Sequence, residues 1–190
     1  MKLVKNVEKL LAEIPIPKDY LKDKNFSYRF YFNFALMSWW NKTSSGYEFY
    51  LNYVTYKSLS ENFNLSKTLI KKQLDLVSDY RFKEDGLGNR HLYMNTPTRN
   101  FIKVDNNIIK KLKDENEMVI RVYIFMQSYR TNKIIGLTHP KILGSIGYNS
   151  NSGSNESKLT ESIKRLISMN LLRREMCYNG KNNYSIYYKK

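Results

Sequence analysis

The chain has 190 residues, 42% of them hydrophobic and 14% aromatic, with 32 Lys+Arg against 17 Asp+Glu and a formal charge of +15. Such content supports packed cores in one large or two small domains and excludes wholesale disorder, while the basic surplus favours a polyanionic partner through counterion release. A single cysteine, Cys177, excludes an intrachain disulfide framework or a cysteine-based zinc site.

Met1 to Leu11 is charged and amphipathic, without a signal-peptide apolar core or a small-residue cleavage site. No apolar window reaches the roughly eighteen residues of a membrane span, so a soluble, cytoplasmic protein is expected. Leu3, Val7, Leu10, Leu11 and Ile14 recur at helical spacing, and Pro15 and Pro17 would end that helix. Residues 1–25 are therefore expected as an amphipathic helix and linker. The helix would pack on the neighbouring domain, with a homodimer contact as its alternative use.

Phe26 to Trp40 alternates like a strand at Tyr28, Phe30, Phe32 and Phe34, yet its length favours a buried helix. Thr43 to Gly46 reads as a loop and Glu48 to Val54 as a short strand. Thr55 then caps a second helix, Tyr56 to Phe63, and Asn64-Leu65-Ser66 forms a turn. Ser66 caps a third helix, Lys67 to Ser78. Arg81 to Met94 folds back through Asp85-Gly86-Leu87-Gly88-Asn89 as a hairpin wing. Asn95 to Thr98 is the expected boundary between domains at 26–96 and 97–190.

The second half repeats this order. Phe101 to Val104 is a candidate strand, Asn106 to Lys113 a small helix or turn, and Glu115 to Tyr129 a long helix with Met118, Val119, Val122, Phe125 and Met126 on one face. Thr138 caps the next helix, with Pro140 in its first turn where a missing N–H costs nothing. Asn149 to Asn155 reads as a polar insertion before a helix from Glu156 to Asn170. A hairpin follows, with Asn179-Gly180 at its turn. With the insertion removed, Leu69 falls over Leu159, Val77 over Ile167 and Phe82 over Leu172. Each half reads as short helix, turn, longer helix, hairpin. The expected fold class is mainly α with small β-hairpins (α+β), as two tandem winged helix-turn-helix domains.

The two longer helices divide into faces. Ile70, Leu74 and Val77 share one side of the first, leaving Thr68, Lys71, Lys72 and Asp75 opposite. In the second, Leu159, Ile163, Leu166 and Ile167 are expected inward, with Ser157, Lys158, Glu161, Lys164 and Arg165 outward. Early helix positions of a major-groove reader approach base edges, and later cations hold phosphates. The candidate duplex-contacting residues are therefore Ser66, Lys67, Thr68, Lys71, Lys72, Asn155, Ser157, Lys158, Lys164 and Arg165 on the helices. Arg81, Lys83, Arg90, Arg173, Arg174, Lys181 and Asn182 join them from the wings. The plainer alternative is that these cations keep solvated faces and edge hairpins soluble. The aromatics, including 16 tyrosines, are expected mainly in cores rather than as base-stacking platforms.

Little points to catalysis. His91 falls in a wing and His139 at a helix start, neither beside a partner at metal-ligand spacing. There is no glycine-rich phosphate loop and no tyrosine amid a histidine pair or an Arg/His cluster. Glu84-Asp85 reads as solvated charge on a turn. A non-enzyme without cofactor or metal is expected.

Leu137 to Tyr148 followed by Leu159 to Arg174 resembles the helix-turn-helix modules of plasmid and phage replication proteins from Gram-positive bacteria. The tandem arrangement is similar to theta-type plasmid initiators built from two winged-helix domains, over about Phe26 to the C-terminus. The insertion at Asn149 to Asn155 departs from that family's tight turn. The resemblance implies a non-catalytic initiator that binds repeated origin sequences in double-stranded DNA and recruits host replication proteins. Other readings of the same residues are a transcriptional or copy-number regulator, an accessory protein of plasmid transfer or partition, and a protein-interaction module whose charge is incidental.

Overall fold

A computed structural model of the chain describes residues 13–43, 46–52, 54–97, 99–178 and 183–190. The protein is α+β. Among the described residues, seven helices and nine strands form small antiparallel sheets, and no helix is long and apolar enough to cross a membrane. The chain divides into two compact units. Of the described residues, those within 13–17 and 25–114 form the first, and those within 18–24 and 115–190 form the second.

The first unit is organised around α1 (Tyr28–Met37), which is buried over almost its whole circumference. Ser27 caps it, its Oγ accepting from the Phe30 N–H at 3.3 Å. The helical alternative for this aromatic stretch is thus the one realised, although Trp39 and Trp40 leave the helix and begin β2 (Trp39–Thr43). Phe30 meets Phe63 and Tyr80 edge-on at 5.3 and 4.9 Å, and Phe34 meets Phe49 and Tyr80 likewise. Each such ring buried contributes about 2–3 kcal/mol, which makes α1 the centre of the core.

Ile14 departs from the expected N-terminal helix; residues 1–12 lie outside the described residues. Ile14 belongs to β1 (Glu13–Pro17), paired antiparallel with β6 (Phe101–Asp105) in register Ile14↔Val104 and Ile16↔Ile102. Pro15 and Pro17 fit a strand because alternate residues turn their nitrogens away from the one partner, where no N–H is needed. Their carbonyls are used instead: Tyr28 Oη donates to Pro17 O at 2.7 Å, and Tyr31 Oη donates to Pro15 O. β6 is followed by α4 (Asn106–Leu112), so residues after the polar Asn95–Thr98 stretch still belong to the first unit.

The local expectations between residues 46 and 97 match closely. Strand β3 (Gly46–Leu51) precedes α2 (Tyr56–Phe63), capped reciprocally by Thr55 and Ser58. Asn64, at φ 51°, closes α2 in the left-handed conformation that asparagine tolerates. Ser66 caps α3 (Lys67–Leu76), and β4 (Tyr80–Glu84) returns as β5 (Arg90–Pro97). The sheet order is β2-β3-β5-β4.

In the second unit, α5 (Glu117–Gln127) is buried from Met118 to Met126. An unexpected strand, β7 (Lys133–Ile135), precedes α6 (His139–Ser145), which Thr138 caps with Pro140 in the first turn. Helix α7 (Gly153–Ser168) begins three residues before the expected Glu156, absorbing the end of the polar insertion. Strands β8 (Leu172–Tyr178) and β9 (Asn183–Lys189) complete a sheet ordered β7-β9-β8; the expected turn at Asn179-Gly180 lies outside the described residues.

From α1 to β5 the first unit runs helix, two strands, two helices, two strands. The second unit repeats this order from α5 to β9 without a counterpart of β2, and β3 and β7 each pair with the last strand, which pairs with the one before it. The burial register differs from the expected one. Ile70, Gln73 and Val77 are buried on the first side, and Leu159, Ser162 and Leu166 on the second. These stripes align one residue away from the Leu69–Leu159 pairing, and Ile167, expected inward, is 39% exposed. The hairpins shift the other way: β4 begins at Tyr80 and β8 at Leu172, so by sequence order Leu172 corresponds to Tyr80 rather than to Phe82.

Candidate nucleic-acid interface

Helix α3 is held by a polar anchor that periodicity did not reveal. Gln73 is buried, accepts from the Ser27 N–H at 2.7 Å through Oε1 and donates to the Asn25 carbonyl. This ties the middle of α3 to the start of α1 and fixes which side faces outward. Ser66, Lys67, Thr68, Lys71, Lys72 and Asp75 are all exposed, and residues from Lys67 to Leu76 line a shallow concavity along the helix. Ser66 is engaged in capping, its Oγ accepting from the Leu69 N–H at 3.2 Å. Lys71 and Lys72 form no ion pair among the described residues.

The first wing is more ordered than a solvated turn. Asp85 accepts from the N–H groups of Leu87 and Asn89 at 2.9 Å each and from the Asn89 side chain at 3.0 Å. These bonds, with His91 3.4 Å away, hold its carboxyl down at about 2. Glu84-Asp85 is thus only half solvated charge, because Asp85 organises the hairpin. His91 also meets Asn52 Oδ1 at 2.8 Å. Arg90 lies over Phe82 at 4.2 Å and 3.7 Å from Glu84, while Lys83 stands over Tyr93 at 4.3 Å. Arg81 is exposed on the outer edge of β4.

The second unit separates the expected residues. Ser157, Lys158 and Lys164 are exposed on α7, and neither lysine forms an ion pair among the described residues. Arg165 is committed: Nη2 and Nε donate to Glu115 Oε1 at 2.6 and 3.1 Å. Asn155, half-buried, donates to the Asn149 carbonyl at 3.0 Å and so supports the α6–α7 connection. Arg174, also half-buried, donates to Ser185 Oγ at 2.8 and 3.0 Å and lies over Tyr187. Arg173 pairs with Glu175 and lies over Tyr188, whose hydroxyl donates to Glu175 at 2.8 Å. Arg173 and Tyr188 together hold the Glu175 carboxyl below its usual range. Lys181 and Asn182 lie outside the described residues.

A second anchor fixes the α6–α7 region. Arg121, 3% exposed, pairs with Glu117 at 3.1 Å and donates to the carbonyls of Tyr20, Leu21 and Asp23. Residues 18–24, expected as linker, are thereby a packed segment of the second unit. Gly147, at φ +82°, brings the turn after α6 against the Lys22 backbone, where an added Cβ would stand 2.6 Å from the Lys22 carbonyl oxygen. The one sequence signal for Arg121 is a Glu117-x-x-x-Arg121 pair inside an otherwise apolar helix.

Among the described residues no group of three or more His, Cys, Asp or Glu side chains could hold a metal ion. In comparisons with protein-family models, curated proteins and solved structures, no match to this chain was found.

Proposed function

We propose that the protein is a sequence-specific double-stranded DNA-binding protein of a plasmid, phage or other mobile element, made of two tandem winged helix-turn-helix domains. Its role is that of a non-catalytic replication initiator or origin-binding protein. The observation that carries the reading is the repeated order of elements, with α3 and α7 each anchored on one side and cationic on the other. A helix docked by its apolar stripe and presenting lysines outward has the division needed to enter a major groove, with the adjoining hairpin flanking it. The +15 charge supports the same partner.

Within this reading Lys71, Lys72, Lys158 and Lys164 hold phosphates. Lys67, Thr68 and Ser157 stand at the early helix positions that approach bases. Arg81 and Lys83 extend the track from the first wing. Recruitment of host replication proteins and self-association follow from the initiator role. The test is selection of bound sequences from random duplexes, followed by gel-shift titration at several salt concentrations. Enrichment of a repeated motif with steep salt dependence is the expected result; binding without sequence preference, or none, rejects the reading.

A further inference from the structure

The outer face of the first unit's sheet carries an aromatic row that the duplex reading uses only at its last residue, Arg81. Pairing register places Trp39, Tyr50, Tyr93 and Arg81 in one line across all four strands: Trp39↔Tyr50, Tyr50↔Tyr93 and Arg81↔Tyr93. The adjacent row, Trp40, Phe49, Met94 and Tyr80, is buried. Because strand side chains alternate, the first row faces away from the core. Trp39 is 49% exposed against 8% for Trp40, the next residue.

The row has flat rings and positive charge at one end. Tyr50 and Tyr93 are stacked at 5.8 Å with planes 21° apart, Lys83 Nζ lies 4.3 Å from the Tyr93 centroid, and Arg81 is exposed beside them. Burial, with smaller contributions from the Glu48 carboxylate and Tyr50, raises the Tyr93 pKa. Trp39 has no ring partner among the described residues. Tyr93 is thus covered by Tyr50 from β3 and by Lys83 from β4, and Trp39 and Tyr50, on strands about 4.8 Å apart, are the rings left to receive a ligand beside these cations.

We propose that this face binds an unpaired DNA strand, its bases stacking on Trp39 and Tyr50, with Tyr93 backing Tyr50, and its phosphates meeting Arg81 and Lys83. Base stacking requires π-faces in sequence with backbone cations alongside, and an apolar protein partner would gain nothing from the two cations. The choice of DNA over RNA rests on the duplex reading, since strand separation at a bound origin supplies such a strand. The stacking site itself stands independently of that reading.

Trp39 and Trp40 are the only tryptophans, and Trp39 is the exposed one, so stacking reports itself. Titrating the full chain with oligo(dT) of about fifteen nucleotides should quench tryptophan emission, with an affinity that falls as salt rises. By anisotropy of a labelled oligo(dT), Trp39→Ala and Tyr50→Ala should each weaken binding about tenfold. Trp39→Phe should keep it within about twofold while losing most of the quench. Duplex affinity should be unchanged in all three. An unquenched wild-type titration overturns the proposal, and needs no variant. So does unchanged oligo(dT) affinity in Trp39→Ala and Tyr50→Ala, or parallel loss of duplex and single-strand binding. Tighter binding of oligo(U) than oligo(dT) overturns the assignment to DNA.

Discussion

Arg165 on α7 is forked onto a single carboxylate oxygen of Glu115, at 2.6 and 3.1 Å, just before α5 begins. The pair places an acid beside a guanidinium that helical spacing alone would assign to a phosphate. Arg165 is 55% exposed at its side chain and Glu115 only 16%, so the acid is the fixed partner and the arginine the movable one.

Release of that guanidinium should therefore strengthen duplex binding. Glu115→Gln removes the competing charge and is expected to raise affinity about two- to fivefold at low salt, with the gain fading as ionic strength increases. Gel-shift titrations at two salt concentrations decide it. Lower affinity in Glu115→Gln would mean that the pair positions α7 rather than restraining Arg165.

The unpaired lysines should behave differently. Lys71→Ala with Lys72→Ala, and Lys158→Ala with Lys164→Ala, are each expected to lower duplex affinity about tenfold or more and to reduce the slope of log K against log salt by about two. The loss should be nearly the same for all duplex sequences, as befits phosphate contacts. If only one pair has this effect, a single unit reads the DNA.

Gly147→Ala tests the packing of residues 18–24. At φ +82° an alanine is strained, and its Cβ would meet the Lys22 carbonyl oxygen at 2.6 Å. A loss of about 2 kcal/mol or more is expected in urea unfolding. The nearby Gly144, whose added Cβ meets nothing within 4 Å, supplies the control: Gly144→Ala in α6 should be neutral or stabilising.

Acid should loosen the first wing. The Asp85 carboxyl is lowered from 3.8 to about 2 by its bonds to Asn89, Leu87 and His91. A depressed folded-state pKa contributes stability that is present above about pH 4 and lost as pH falls through 2. Chemical shifts of the Leu87 and Asn89 amides should titrate in that window, and Asp85→Asn should shift them at neutral pH. Flat amide shifts down to pH 2 would contradict the role given to Asp85.

Sequence by itself determined what depends on neighbours along the chain. Thr55, Ser66 and Thr138 each cap a helix because the acceptor and its N–H lie three residues apart, and the 3.6-residue spacing of apolar side chains outlines α2 and α3. The Asp85–Asn89 turn is local in the same sense. The lysines of α3 and α7 could likewise be assigned to an outward face before any contact was known.

Tertiary structure decided what depends on partners remote in sequence. Ile14 fits a helical pattern as well as a strand, and only pairing with Val104 makes it β. Leu69 and Ile70 are equally apolar, yet only Ile70 is buried, because Gln73 finds its acceptor and donor at Asn25 and Ser27. Arg121, Arg165 and Arg174 carry the same charge in the sequence. Hydrogen bonds to carbonyls, a carboxylate and a hydroxyl set them apart, since a guanidinium is satisfied by whichever oxygens the fold brings within about 3 Å. Trp39 and Trp40 are adjacent and chemically identical, and the pleat of β2 alone sends one into the core and the other to the surface.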